Sequence, residues 1–151
     1  MNLVKLNFPA YSFSYREERG RSLIFDKVRK QYVVLSPEEW VRQHVIRYLQ
    51  EEKGYPTGLL SVEGSLNLFR TKKRYDVAAF DREGKPMVIV ECKSPQVKLN
   101  QGVVDQVVRY NLRVKAPFLF VTNGMIHLFL KKEGEFYKQV PELPDYKEFP
   151  G

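Results

Sequence analysis

Apolar residues recur along this chain in two periods, and the changes of period mark out its elements. From Ser36 the spacing is helical. Trp40, Val41, His44, Val45, Tyr48 and Leu49 fall on one face of a helix running to Glu52. Ser36 is a good N-cap, Pro37 suits the first helical position, Glu39 completes a Ser-x-x-Glu capping box, and Gly54 supplies the stop. A second stripe, Val103, Val104, Val107, Val108 and Leu112, predicts a helix from Gln101 to Arg113 capped by Asn100.

Between and around the helices the pattern is that of strands. Arg21 to Phe25 and Gln31 to Leu35, joined by Asp26 to Lys30, read as a hairpin. Three runs follow the first helix: Leu60 to Phe69, Arg74 to Asp81 and Pro86 to Lys93, the last two joined by a turn at Arg82 to Lys85. Phe118 to Thr122 and Ile126 to Lys131 close the fold, with Asn123-Gly124 a two-residue turn signal. The order is hairpin, helix, three strands, helix, two strands, a mixed α/β domain with a central sheet flanked by helices. It divides into an extension and hairpin packing on the core over residues 1–35, the core over 36–140, and a Pro- and charge-rich tail over 141–151, expected surface-bound or loose. Phe8, Tyr11, Phe13 and Tyr15 in the extension form either an exposed docking patch or a segment folded back on the domain.

Composition narrows the class. A chain of 151 residues buries about 68–70% of its unfolded surface, enough for one domain without staples. Hydrophobic residues at 43% and charged residues at 28% argue against disorder. No apolar run reaches membrane-spanning length, and Met1 to Pro9 lacks the pattern of a signal peptide. Cys92 is the only cysteine, so no internal disulfide forms and a reducing, cytoplasmic setting is expected. Beside it stand only His44 and His127, which argues against a structural zinc site. The formal net charge of +7 suits a polyanionic partner, and equally a solvated basic surface.

The candidate chemistry lies in Tyr75-Asp76 and Glu91-Cys92-Lys93. Glu-x-Lys occurs three times here, at Glu51, Glu83 and Glu91. The first falls at a helix end and the second in a turn. Only the third follows a fully apolar run, Met87 to Val90, expected inside a sheet. If Asp81 pairs with Pro86, Val77 lies across from Val90 and Asp76 across from Glu91. Asp76, Glu91 and Lys93 then share one face while Cys92 points to the other, into the core. Two opposed carboxylates repel. A hard divalent cation relieves that repulsion, activates water and neutralises charge on a phosphodiester, with a lysine beside it to orient the attacking water. The competing reading is a surface cross-strand ion pair of little energetic weight.

Asp76, fourteen intervening residues and then Glu91-Cys92-Lys93 at the end of an apolar strand resemble the signature of PD-(D/E)xK nucleases. The order of elements looks like their restriction-endonuclease-like core. More specifically, Arg74-Tyr75-Asp76, Val90-Glu91-Cys92-Lys93 and Val121-Thr122-Asn123-Gly124 resemble the N-terminal nuclease domain of the restriction (R) subunit of type I restriction–modification enzymes. The resemblance implies a DNA endonuclease in which Asp76, Glu91 and the Cys92 backbone carbonyl hold Mg²⁺ (or Mn²⁺ in its place) and Lys93 acts on the nucleophilic water. It also implies that Gln106 and Tyr110, a Gln-x-x-x-Tyr element on one helical face, contact a phosphate or brace Lys93. Without it they read as a polar rim and a half-buried tyrosine. Glu39 and Glu63 are candidates for the extra carboxylate some related nucleases carry, although capping explains Glu39 and a strand surface explains Glu63. Two departures stand out. Tyr75 replaces the proline that names the motif, and no Gly-x-x-x-x-Gly-Lys-Ser/Thr loop is present, so ATP-driven translocation is not implied.

Arg70, Lys72, Lys73 and Arg74 before Asp76, and Lys98 beyond Lys93, suit a grip on the DNA backbone or, more plainly, a solvated loop. No base-reading module is recognisable. In type I systems a different subunit reads the sequence, so double-stranded DNA and other restriction-system subunits are the expected partners. Two further readings stay open: a non-cleaving nucleic-acid-binding module, and a docking module of a restriction or repair assembly.

Overall fold

The structure, a computed structural model, describes residues 3–68 and 70–149. Its centre is a six-stranded mixed sheet made of β4 (Leu60–Val62), β7 (Val77–Phe80), β8 (Pro86–Cys92), β9 (Phe118–Thr122), β10 (His127–Glu133) and β11 (Phe136–Val140). The spatial order is β11-β10-β9-β8-β7-β4, with β8 and β9 parallel and every other neighbour antiparallel. The parallel pair needs a crossover, and α2 (Gln101–Asn111) lies in that connection. Side chains along β8 alternate between two cores. Val88, Val90 and Cys92 join Val77, Ala79 and Phe120 against Val41 and Val45 of α1 (Pro37–Arg47) and Leu49 just beyond it. Ile89 joins Ala78, Leu119 and Val121 against Val107 of α2.

Outside this sheet lie a three-stranded antiparallel sheet, β1 (Tyr15–Glu18), β2 (Arg21–Asp26) and β3 (Gln31–Val34), and a ribbon of β5 (Ser65–Leu68) with β6 (Thr71–Arg74). The molecule is thus a mixed α/β assembly with two α-helices among the described residues.

Several elements depart from the sequence reading. The first helix is α-helical only to Arg47 and then widens into a π-turn over Tyr48–Glu52, where Lys53 N–H reaches the Tyr48 carbonyl at 3.2 Å. The expected run from Leu60 to Phe69 is two strands, β4 and β5, and Phe69 lies outside the described residues. The run from Arg74 to Asp81 is likewise divided between β6 and β7. The break has a steric origin. The buried Tyr75 ring lies over Gly64, where an added Cβ would sit 2.2 Å from the Tyr75 hydroxyl, while Glu63 takes φ of +49°. Glu63 N–H to the Asp76 carbonyl (2.8 Å) and Tyr75 N–H to the Gly64 carbonyl (3.0 Å) carry the pairing across the bend.

At the β7–β8 turn, Pro86 pairs with Phe80 rather than Asp81, because Asp81 Oδ1 is drawn into the turn by the amides of Glu83 and Lys85. Val77 still opposes Val90. Asn123-Gly124 opens a four-residue loop rather than a two-residue turn, since Asn123 Oδ1 accepts from both Met125 and Ile126 amides. The second helix, α2, ends at Asn111 rather than Arg113; Leu112 just beyond it is exposed and Asn111 is buried in its stead, donating to the Val107 carbonyl at 2.7 Å. β1 and β11 were not foreseen.

The extension folds back on α1. Phe8, Tyr11 and Phe13 gather around His44, and the Trp40 indole donates to the Val4 carbonyl at 2.8 Å. The tail is docked through residue 149: Leu143 is buried and Tyr146 N–H bonds the Lys53 carbonyl at 2.8 Å. Among the described residues no helix is long and apolar enough to cross a membrane.

Candidate active site

At the end of β8 where the apolar run stops, a cleft of about 530 Å³ opens between α1, α2 and the β5–β6 ribbon. Asp76, Glu91, Lys93, Gln106, Tyr110, Glu63, Lys72, Lys73 and Arg74 all line it. Glu39, Arg70 and Lys98 do not. Two residues that the sequence reading passed over line it as well, Glu38 and Arg42.

Asp76 sits just before β7, where the strand bends, so its side chain hangs past the end of the ladder rather than inside it. Its Oδ2 accepts the Cys92 amide at 2.6 Å and its Oδ1 accepts Arg42 Nη2 at 3.2 Å. Glu91 follows the four-residue apolar run Met87 to Val90 and faces the cleft, opposite in sense to Cys92, whose thiol is buried in the core. Lys93 Nζ stands 3.5 Å from Glu91 Oε1. Burial of the Glu91 carboxyl, and then the charge of Asp76, push its pKa up, against the pull of Lys93 and Lys73. Burial and the Asp76 charge raise Glu38 in the same direction.

The Glu91 shift carries a stability consequence. A carboxyl whose pKa rises on folding binds its proton more tightly in the folded chain. Its ionised form is therefore a cost, absent below the ordinary value of 4.5 and growing as pH climbs through the raised folded value. Glu91→Gln is expected to raise the melting temperature at pH 7 without divalent cations by about 2–4 °C, as removal of a strained active-site charge does in a chain of this size. The gain should vanish below pH 4.5. An unchanged or lowered melting temperature at pH 7 would count against a Glu91 carboxyl raised by burial and by Asp76.

Glu39 has another occupation. Its amide donates to Ser36 Oγ at 3.0 Å, the first half of the capping box. Its carboxylate does not return to the cap. It accepts instead from Arg42 (2.7 Å), from Arg29 (3.0 Å) and from Gln43 (3.0 Å) inside the protein. One residue earlier on the helix, Glu38 is the carboxylate that α1 turns to the cleft. Helical rotation of about 100° per residue separates the two.

Arg42 is the second residue missed. Only 6% of it is exposed, yet its guanidinium meets Glu39, Glu38 (3.2 Å), Glu63 (3.1 Å) and Asp76. Burial opposes its charge, but the neighbouring carboxylates outweigh that and raise its pKa, so it stays protonated. Glu38, Glu39 and Arg42 at helical spacing gave the only sequence signal, which is also that of an ordinary surface ion-pair ladder.

The cleft's outer wall is basic. Lys72, Lys73 and Arg74 reach it from β6, and Lys73 Nζ stands 4.8 Å from the centre of the Tyr110 ring. Tyr110 is 58% exposed rather than half-buried, and Gln106 is exposed on the same helical face. Arg70, with φ of +65°, lies between β5 and β6, and Lys98 is exposed ahead of α2.

Comparison with known proteins places most of the chain in a family. Residues 37–144 match a family described as type I restriction enzyme R protein N terminus. The type I restriction enzyme EcoAI endonuclease subunit of Escherichia coli is 27% identical over 101 residues, which are 65% of this chain and 12% of that subunit. The chain therefore spans a small fraction of the relative it matches.

Proposed function

The chain belongs to the type I restriction enzyme R protein N-terminus family, and from that membership we propose that it is a divalent-metal-dependent nuclease module of the PD-(D/E)xK type, acting on DNA. The observation that carries this reading is the meeting of Asp76, Glu91 and Lys93 in one cleft with a basic outer wall.

The donor set fits a hard cation. Asp76 and Glu91 repel one another, and burial first, then the Asp76 charge, raises the Glu91 pKa. Among the described residues no three Asp, Glu, His or Cys side chains are gathered closely enough to hold a metal. Mg²⁺ takes one or two carboxylates and fills its other positions with water and substrate phosphate, so a pair such as Asp76 and Glu91 would be enough to hold it. Asp76, Glu91 and the Cys92 carbonyl are the proposed ligands, with Mn²⁺ as a substitute for Mg²⁺. When bound, the cation supplies a more acidic water and neutralises charge on the phosphate.

The chain's own residues do the rest. The Cys92 amide and Arg42 fix the Asp76 carboxylate from two sides. Lys93, a third exposed at its side chain, offers three rotatable donors to orient the attacking water and to meet charge in the transition state. Lys72, Lys73 and Arg74 take the backbone of the bound strand, while Gln106 and Tyr110 stand ready for a flanking phosphate. Under this proposal sequence choice is assigned to a partner subunit, in a cytoplasmic assembly.

The test is incubation of the purified chain with supercoiled plasmid in Mg²⁺, in Mn²⁺ and in EDTA. Nicked circles are expected with either metal and none in EDTA. A chain that binds the plasmid equally in EDTA and never cuts it would be a nucleic-acid-binding or docking module, and the nuclease reading would fall.

A further inference from the structure

We propose that the β5–β6 ribbon lays its outer face, Ser65, Asn67, Lys72 and Arg74, in the major groove of duplex DNA beside the cleft. This rests on the reading of the chain as a nuclease module acting on DNA, and names the surface that seats the duplex. The ribbon has two unlike faces. Ser65 pairs with Arg74 and Asn67 with Lys72, and directly opposed residues point the same way, so these four share one face. All four are exposed. Leu66 with Lys73 and Leu68 with Thr71 form the other face, where Leu66 packs against the core that Ile89 shares with Val107 of α2.

Charge and size name the occupant. No Asp or Glu occurs from residue 65 to residue 74. Glu63, at the foot of the ribbon, is met by Arg29 at 3.5 Å and by Arg42 at 3.1 Å. Glu38, Asp76 and Glu91, which share the cleft with Lys72 and Arg74, stand on other segments. The outer face therefore offers two cations, a hydroxyl and an amide, groups that suit phosphates and base edges. In the major groove an amide can pair with adenine, and Lys or Arg with guanine. Two strands about 4.8 Å apart and about 13 Å long fit that groove, which is about 12 Å wide. The minor groove, about 6 Å wide, takes them only where the duplex is deformed. The face is also continuous with the cleft, since Lys72 and Arg74 line both it and the recess beside Glu63, Gly64 and Ser65. A duplex seated on the ribbon thus brings its backbone to Asp76 and Glu91. Four side chains span too few base pairs to define a site, so this contact seats the duplex and leaves sequence choice to a partner.

Fluorescence anisotropy of a short labelled duplex tests this on the whole chain, with Ca²⁺ in place of Mg²⁺ to hold off cleavage. Two altered duplexes separate the grooves: glucosylated hydroxymethylcytosine fills the major groove of one, and bound netropsin fills the minor groove of the other. Affinity is expected to fall about tenfold or more on glucosylation and to stay within about threefold with netropsin. Asn67→Ala, an exposed and uncharged change, should weaken binding of the plain duplex about fivefold or more. Its loss and the loss on glucosylation should not add, because both remove the same contact. Thermal melts confirm that the variant is folded. The proposal is overturned if the glucosylated duplex binds as well as the plain one, if netropsin displaces the chain, or if a single strand binds as tightly as the duplex. Wild-type affinity in folded Asn67→Ala overturns it too. Each of these leaves the nuclease reading standing. A wild-type chain that binds neither duplex nor single strand overturns the DNA reading instead, and the proposal with it.

Discussion

Lys93→Ala is expected to lower the rate of metal-dependent plasmid nicking by about 10²–10³-fold, the usual cost of losing one donor aimed at transition-state charge. Its melting temperature should stay within about 2 °C of the wild type, because a partly exposed ion pair is worth about 0–1 kcal/mol. Among the described residues Lys93 forms one salt bridge, with Glu91 at 3.5 Å. A purely structural lysine at this place would show neither effect. Asp76→Asn should abolish nicking at least as fully, but with a fall in stability, since its Oδ1 answers the buried Arg42. The two variants thus separate chemistry from packing: one loses rate alone, the other loses both. Initial nicking rates and thermal melts of the same preparations give the comparison. If Lys93→Ala cuts at the wild-type rate, Lys93 is a surface partner of Glu91 and the assigned role is lost.

What the sequence made legible was whatever local chemistry decides. Ser36, Pro37 and Gly54 placed the first helix, and Met87 to Val90 marked the buried strand. The opposition of Val77 and Val90 followed from counting back from the turn, although the turn itself came out one residue different at Phe80. The elements that were missed carry no local mark. All four residues of β1 are exposed, so Tyr15–Glu18 has no inward-facing alternation to read. β11 is an edge strand with three of its five residues exposed. The exchange of Leu112 for Asn111 at the end of α2 depends on where the last turn meets the sheet, which periodicity alone does not fix.

The site was legible in part for the same reason. Asp76, Glu91 and Lys93 lie on adjacent segments, so register brings them into one cleft. Glu38 and Arg42 arrive from a different element, and which face α1 turns to the cleft is a tertiary fact. The side chain at Glu39 shows this most plainly. A capping box explains its position in sequence, but the carboxylate goes to Arg29, which is ten residues away across the β3 strand. Glu63 reaches the cleft because Gly64 and Tyr75 bend the ribbon, a steric event between residues eleven apart.

Asp26→Asn is expected to destabilise the folded chain by about 3 kcal/mol or more at pH 7, a typical cost for breaking a buried ion pair from one side. Asp26 is fully buried and accepts four donors: the Val28 and Arg29 amides, Arg29 Nε at 2.8 Å and Gln43 Nε2 at 2.9 Å. An asparagine nitrogen would face Arg29 and Gln43 as a donor against donors. From there the charges run unbroken to the cleft, Arg29 to Glu39, Glu39 to Arg42, and Arg42 to Asp76. The three-stranded N-terminal sheet is thereby tied to the candidate site by ion pairs rather than by apolar packing alone. The pH dependence has a definite sign. Burial acts to raise the Asp26 pKa, but the Arg29 amide, the Gln43 amide and the Arg29 guanidinium together lower it from 3.8. A carboxylate lowered on folding contributes stability above its ordinary value and loses it as pH falls through the folded one. The wild-type advantage over Asp26→Asn in urea midpoint should therefore be full at pH 7 and shrink below pH 3.8. A gap that stays constant through that range would mean that the hydrogen bonds, and not the charge, hold the turn. A gap near zero at pH 7 would mean that the network is held at the Arg42 end alone, with Asp26 a passenger.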